Sequence, residues 1–223
     1  PYRRQRQMCI RDSGWNKLQN EVLTAVREQD PERIVFVPAM GWQDYNYIKY
    51  ARVAEEDPNA VVSFHYYLPM LLSHYKMLAW VGYQGAVQYP GVVIPTQSDA
   101  DKYPQYASFH KTTYNADRIM GEMSNAASDG RNAGLAVHCG EFGCSKNVAE
   151  AMRLAWFTDM VAAMEANNIP WTLWECLDGG FGFVDMEYGI YRINCPLLKV
   201  LTGKELTDAE AKALLQKYGF KTE

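Results

Sequence analysis

The sequence has no Cys-x-x-Cys pair. Its five cysteines, Cys9, Cys139, Cys144, Cys176 and Cys195, are odd in number and scattered. That spacing excludes a recognisable zinc-ligand motif and argues against a disulfide framework, so buried free thiols are expected. No apolar run approaches the roughly 20 residues that a bilayer-spanning helix needs, and no membrane partner is expected. No charged-then-apolar leader opens the chain, so no signal peptide is visible. Positive charge is not in excess: 22 Lys and Arg stand against 26 Asp and Glu, for a net charge of -4. Without a cationic field a nucleic-acid partner is not expected. No glycine-rich phosphate loop follows an apolar run, so a nucleotide fold has no support. Internal repeats and low-complexity linkers are absent as well.

What is present is a globular composition. Of 223 residues, 48% are hydrophobic and 22% charged, enough for a sizeable core. Aromatics reach 13%, with 15 Tyr and 6 Trp, which is compatible with a surface that binds sugars or aromatic groups. The first thirteen residues, PYRRQRQMCIRDS, carry four arginines and no apolar period, and read as a non-native or disordered junction (1–13). After them the chain alternates. Trp15, Leu18, Val22 and Val26 recur at helical spacing, with Ser13 able to cap the start and Asp30-Pro31 stopping the helix. Four apolar, partly β-branched runs read as buried strands, near Ile34–Pro38, Val61–His65, Leu135–Cys139 and Trp171–Trp174. Helices are expected over 106–130, over 146–168 with the ridge Val148, Met152, Trp156, Met160 and Met164, near Cys195–Gly203, and in a tail opened by Thr207 and Glu210 at capping-box spacing. A long irregular segment, about Leu72 to Pro104, is rich in Tyr, Gly, Pro and Gln and reads as a functional loop. Alternating strands and helices give an α/β chain built of about four parallel βα units.

Each strand ends in a distinctive group. Trp42 follows the first, His65, Tyr66 and Tyr67 end the second, Glu141 ends the third, and Trp174 with Glu175 ends the fourth. In a barrel or an open α/β sheet the carboxyl ends of the strands share one face, and that face holds the site. A carboxylate among aromatic rings suits a sugar. The pyranose has an apolar face for stacking, and its anomeric carbon develops positive charge in the transition state.

Three stretches, SFHYYLP, GEFG and WTLWECLDGGFGFVD, resemble the ends of the sixth, seventh and eighth strands of glycoside hydrolase family 5, the cellulase and mannanase family. HYYLPMLLSHYKMLAW is also similar to the family's His-Tyr-Tyr-x-Pro segment; His74 falls on its second His, and Trp80 lies one residue off its Trp. The stretch from Gly14 through Trp42 resembles the family's fourth helix and fifth strand, and the whole resemblance runs from about Gly14 to Gly203. It implies the C-terminal half, about four βα units, of a TIM (β/α)8 barrel, with 14–223 as a partial catalytic domain. It also implies a retaining endo-β-1,4-glycanase acting on β-glucan or β-mannan. In that frame Glu141 is the nucleophile, His65 binds sugar near the cleavage point, and the Tyr67 hydroxyl hydrogen-bonds the nucleophile. Trp174 is the ring beside the nucleophile; Trp42, Trp80, His74 and Glu175 are further substrate-binding candidates. Such enzymes need no metal and no organic cofactor, take a polysaccharide or oligosaccharide substrate, and come from secreted, monomeric parents.

Other readings stand beside these. Glu141 alone could be a solvated strand-end charge, and Glu175 could be an inward structural carboxylate. Tyr66 should point away from His65 and Tyr67 into the core. His138, three residues before Glu141, should point away from it and be structural. His110 reads as a surface or capped histidine, Cys139 and Cys144 as packing residues, Trp15 and Trp156 as core. A non-catalytic glycan-binding relic of the same fold is the rival function, and an unrelated α/β protein a third. The family's general acid lies in an Asn-Glu-Pro motif, and no Asn-Glu-Pro occurs in these residues. The expectation is therefore an N-terminally truncated chain without its acid that does not hydrolyse glycans, with Glu175 or Asp178 as the next acid candidates.

Overall fold

The computed structural model describes residues 2–53, 57–77, 82–177 and 179–223, with side chains from residue 14 onward. Helix α1 (Tyr2–Gln29) precedes strand β1 (Val35–Pro38), the short turn α2 (Met40–Gln43) and a 3-10 stretch, Tyr45–Tyr50. Strand β2 (Ala60–Tyr66) leads to α3 (Met70–Ser73), β3 (Gly91–Val92), α4 (Gln97–Lys102), a further 3-10 stretch at Pro104–Lys111, and β4 (Thr113–Tyr114). Then come α5 (Ala116–Asn132), β5 (Ala136–Phe142), α6 (Glu150–Ala166) and β6 (Trp171–Leu173). The chain ends in the hairpin β7 (Val184–Glu187) and β8 (Ile190–Ile193), then α7 (Cys195–Thr202) and α8 (Asp208–Lys217).

The main sheet has four strands in the order β1-β2-β5-β6. β1 and β2 run parallel, with Val35 opposite Ala60 and Pro38 opposite Ser63. β5 and β6 advance together: Cys139 N–H donates to Pro170 O, and Trp174 N–H to Phe142 O. With helices α1, α5 and α6 in between, this is about half of an eight-stranded (β/α) barrel. The four strands match the four apolar runs of the sequence to within a residue or a few.

Two compact units make up the chain. The first comprises Pro1–Tyr66, Glu122–Glu141 and Asn167–Thr172. Its sheet has one covered face. Ala60, Val62, Phe64 and Tyr66 are buried, as are Val37, Val137 and Cys139, together with Leu23 of α1 and Met123, Ala126 and Ala127 of α5. Tyr66 points into this core, as alternation requires, and its hydroxyl donates to the Glu122 carboxylate. The other face is open: Phe36 stays 54% exposed and Ile34 61%. At the edge strand β1, Trp15, Leu18 and Val22 of α1 are exposed too and line an apolar groove of about 230 Å³ with Val35–Pro38. Among the described residues β1 has a strand partner on one side only, and an open face with a free strand edge is what half a barrel presents.

The second unit comprises Tyr67–Gly121, Phe142–Ala166 and Leu173–Glu223. Its centre is α6, whose Trp156, Met160 and Met164 are fully buried; Trp156 packs edge-on against Phe157 at 5.2 Å between ring centres. The helix stops where Asn168 takes a left-handed φ of 53°. α8 opens with the expected capping box, Thr207 and Glu210 exchanging hydrogen bonds.

Some expectations are corrected. The first helix begins at Tyr2, well before the start expected at Ser13, so Ser13 lies within α1. The helix expected over 106–130 is broken, because Thr113-Tyr114 pairs with Gly91-Val92 instead, and β-branched Thr favours that ladder. His110 sits in the 3-10 stretch, with Nδ1 2.8 Å from Ile94 O. The β7–β8 hairpin, turning at Tyr188 and Gly189 with φ of 51° and 78°, was not anticipated.

The first unit holds a bidentate ion pair whose pH dependence is testable. Arg27 Nε donates to Asp57 Oδ2 at 2.7 Å and its Nη2 to Oδ1 at 3.2 Å. The hydrogen bond from Arg27 holds the Asp57 carboxyl below its ordinary 3.8. A depressed carboxyl stabilises the fold fully above its unfolded value, and that stabilisation is lost as pH falls through the folded value. Urea titrations at neutral pH and below pH 3.8 should show the parent losing more stability on acidification than Asp57→Asn; equal losses would show that the pair contributes nothing.

Candidate active site

In the first unit, the sheet delivers two predicted residues to one point. His65, next to last in β2, and Glu141, near the end of β5, meet with Nδ1 3.3 Å from Oε2. Both are partly shielded, at 20% and 26% side-chain exposure. Burial lowers the His65 pKa from 6.5, and the Glu141 carboxylate opposes that shift without cancelling it. A neutral imidazole carrying its proton on Nδ1 can donate to the carboxylate and hold its orientation.

A glycine makes the meeting possible. A Cβ at Gly140 would lie 2.4 Å from Ser63 Oγ and 3.7 Å from His65 Cδ2. Gly140 therefore faces the same side as Ser63 and His65, the open face of the sheet. His138, two residues earlier, shares that face: its ring lies 4.7 Å from Phe36 and its Nε2 3.1 Å from Thr172 Oγ1. Its contacts are with Phe36 and Thr172, so it remains structural.

Trp42 also belongs to this unit. Gly41, Trp42 and Gln43 take φ of 62°, 64° and 61°, and the indole is 97% exposed. Gly41 is required there, since a Cβ would lie 2.7 Å from the Tyr47 ring.

The second unit holds Tyr67, His74, Trp174 and Glu175. The Tyr67 and His74 rings meet at a tilt with centres 4.9 Å apart, and Phe181 closes on both, at 5.8 Å from Tyr67 and 5.2 Å from His74. Ser73 Oγ donates to Tyr67 O at 2.5 Å and lies 2.9 Å from His74 Nδ1. Burial lowers the His74 pKa from 6.5. Trp174 is 46% exposed just past β6, and the peptide bond that joins it to Glu175 is cis. Among the described residues, the buried Glu175 Oε1 has no hydrogen-bond partner. The Glu175 carboxylate fills the space a Cβ at Gly179 would need, with Oε1 2.0 Å from that position. Trp80 and Asp178 lie outside the described residues.

Sequence reading missed Ser63, Gly140, Ser73, Phe181 and Arg153. The glycine-rich GGFGF run was a usable signal for Phe181, and Arg153 is the one basic residue of α6. Among the described residues no group of three His, Cys, Asp or Glu could hold a metal ion, and no helix is long and apolar enough to cross a membrane.

Parallel βα units with a histidine–carboxylate pair at the carboxyl ends of their strands place the chain in the (β/α) barrel class. The family model described as cellulase, glycosyl hydrolase family 5, matches residues 3–180. Endoglucanase C of Acetivibrio thermocellus is 24% identical over 185 residues, covering 79% of this chain and 51% of the relative. Endoglucanase H of the same organism is 25% identical over 182 residues, covering 82% and 17%. Among solved structures, a hyperthermophilic endo-beta-1,4-glucanase in complex with substrate superposes with a TM-score of 0.66 at 23% identity, covering 86% of this chain and 55% of the other. Cel5A of Thermotoga maritima in complex with mannotriose gives 0.63 at 20%, covering 85% and 55%. The chain thus spans about half the length of endoglucanase C and of these structures. It belongs to glycoside hydrolase family 5.

The Glu141–His65 contact has a titration consequence. In Glu141→Gln the charge that raises the His65 pKa is gone while burial remains, so the imidazole should titrate at lower pH than in the parent. NMR of the His65 ring protons checks this; a rise or no change would mean that the carboxylate does not face the imidazole. A second outcome concerns packing. Gly140→Ala should lower the melting temperature, and Ser63→Ala should restore part of it by removing the clashing Oγ. Additive losses in the double variant would contradict the close approach.

Proposed function

We propose that this chain carries the nucleophile half of a retaining endo-β-1,4-glycanase site acting on β-glucan or β-mannan. One observation carries the reading: in a family 5 chain, a partly shielded carboxylate at a strand end, Glu141, is held by an imidazole, His65, at 3.3 Å. Glu141 attacks the anomeric carbon, the bond to the leaving oxygen breaks, and water later hydrolyses the glycosyl-enzyme. His65 orients the carboxylate, and both it and Tyr67 take catalytic supporting roles, as the family pattern assigns them. Trp174 and Trp42 offer stacking faces, and His74 and Trp80 are further sugar contacts in the same pattern. The orphaned Glu175 Oε1 favours its reading as a substrate ligand, because a sugar hydroxyl would supply the missing donor. Substrate breadth follows the relatives, one of which was solved with mannotriose. Secretion of the parent and its monomeric state belong to the same proposal.

The proposal includes a deficit. No Asn-Glu-Pro occurs in the 223 residues, so no residue is assigned as general acid. Acid help is worth about 10²–10⁴-fold for a poor leaving group and little for one that departs without a proton. The chain should therefore release dinitrophenolate from a dinitrophenyl β-cellobioside while cleaving unactivated cello-oligosaccharides slower by roughly that factor. Glu141→Gln should remove the aryl glycosidase activity by on the order of 10³ or more. Comparable rates on both substrates would locate an acid in this chain, with Glu175 or Asp178 the next to test. Binding of cello-oligosaccharide with no turnover of the aryl glycoside would favour the non-catalytic relic instead.

A further inference from the structure

The second unit buries one guanidinium out of direct contact with any carboxylate. Arg153 of α6 is 4% exposed, and Asp185 and Glu150 act on its charge only from beyond ion-pair distance. Its donors go to three backbone carbonyls instead. Nε donates to Cys144 O at 2.9 Å, and Nη2 to Phe181 O at 2.5 Å and Gly182 O at 2.8 Å. Burying a charge whose direct partners are all carbonyls is costly, and Met would fill similar space in a helix without that cost. The arrangement instead fixes geometry, because the fork spans two loops.

Those loops follow β5 and β6. They approach at backbone distance: a Cβ at Gly143 would lie 2.3 Å from Trp174 O and 3.0 Å from Phe181. Direct polar ties cross between them. Lys146 adds a tie, its N–H donating to Gly180 O at 2.8 Å and its Nζ to Val184 O at 2.7 Å. Arg153 holds Phe181 through the Phe181 carbonyl itself and that of the next residue. The Phe181 ring is the cover of the Tyr67–His74 pair.

We propose that Arg153 is a positioning residue, which holds the loops after β5 and β6 at one spacing so that Phe181 stays seated against Tyr67 and His74. Its consequence for glycan handling rests on the roles proposed above for those two residues; its structural content does not.

The test uses the 223-residue chain and follows the His74 ring by NMR titration. The groups that face His74 are the Ser73 hydroxyl and the Tyr67 and Phe181 rings. In the parent its pKa lies below 6.5. Arg153→Lys keeps the cation but loses the fork, so any shift in it arises from packing and not from lost charge. We expect His74 to move back toward 6.5 in Arg153→Lys, further in Arg153→Met, and likewise in Phe181→Leu, which leaves Arg153 intact. Folded Arg153→Lys and Phe181→Leu with His74 titrating as in the parent would overturn the proposal even if Arg153→Met fails to fold. Cellotetraose affinity, measured by calorimetry, should fall about tenfold or more in Arg153→Lys. An unchanged affinity beside a shifted His74 would overturn the link to the site. A parent that binds no cellotetraose would overturn the proposed function, and the titration would still decide the role of Arg153.

Discussion

The candidate site depends on one missing methyl group. Gly140 lets β5 lie against β2 closely enough that the Ser63 hydroxyl occupies the place of a Cβ, 2.4 Å from where it would sit. Only with that approach does the end of β5 present Glu141 to His65. The rest of the first unit supports the contact from behind. The residues of β2 that alternate with Ser63 and His65 are buried against α1 and α5, so the strand cannot slip by one residue without exposing Val62, Phe64 and Tyr66. The Tyr66–Glu122 hydrogen bond pins the same strand to α5 at the residue next to His65.

The second unit solves a similar problem with other means. Its loops carry the aromatic and polar groups, and loops lack a ladder to set their spacing. Glycines 143, 179 and 182 allow backbone contact, and each would place a Cβ within 2.3 Å of a carbonyl or carboxylate oxygen. Hydrogen bonds from Arg153, Lys146 and Ser145 then hold the segments; Ser145 Oγ reaches the loop after β2 by donating to Tyr75 O at 2.8 Å. Buried polar ties of this kind cost more than apolar packing and return geometric definition.

How much of this was legible in the sequence follows from periodicity and its failures. The four parallel strands were readable because both their β-branched content and their boundaries are local. The α8 capping box and the α6 ridge were readable for the same reason. Boundaries set by partners were not: Thr113-Tyr114 leaves a helix-like pattern because Gly91-Val92 offers it a ladder from far along the chain. At the site, the placement of Glu141 and His65 at strand ends was legible, and the family pattern supplied the roles. The close approach of Gly140 to Ser63 was not legible, because no local rule contains a contact between strands. Phe181 and Arg153 were missed because their partners are carbonyls and rings distant in sequence.

The central claim is that Glu141 is a nucleophile poised on the sheet. A 2-deoxy-2-fluoro cellobioside with a dinitrophenolate leaving group tests it most directly, since the activated group departs without an acid and the fluorine slows release of the adduct. Intact mass spectrometry of the 223-residue chain followed by peptide mapping reads the result. The account predicts one cellobiosyl adduct on Glu141, absent from Glu141→Gln; an adduct on another residue, or a parent that acquires none, would contradict it.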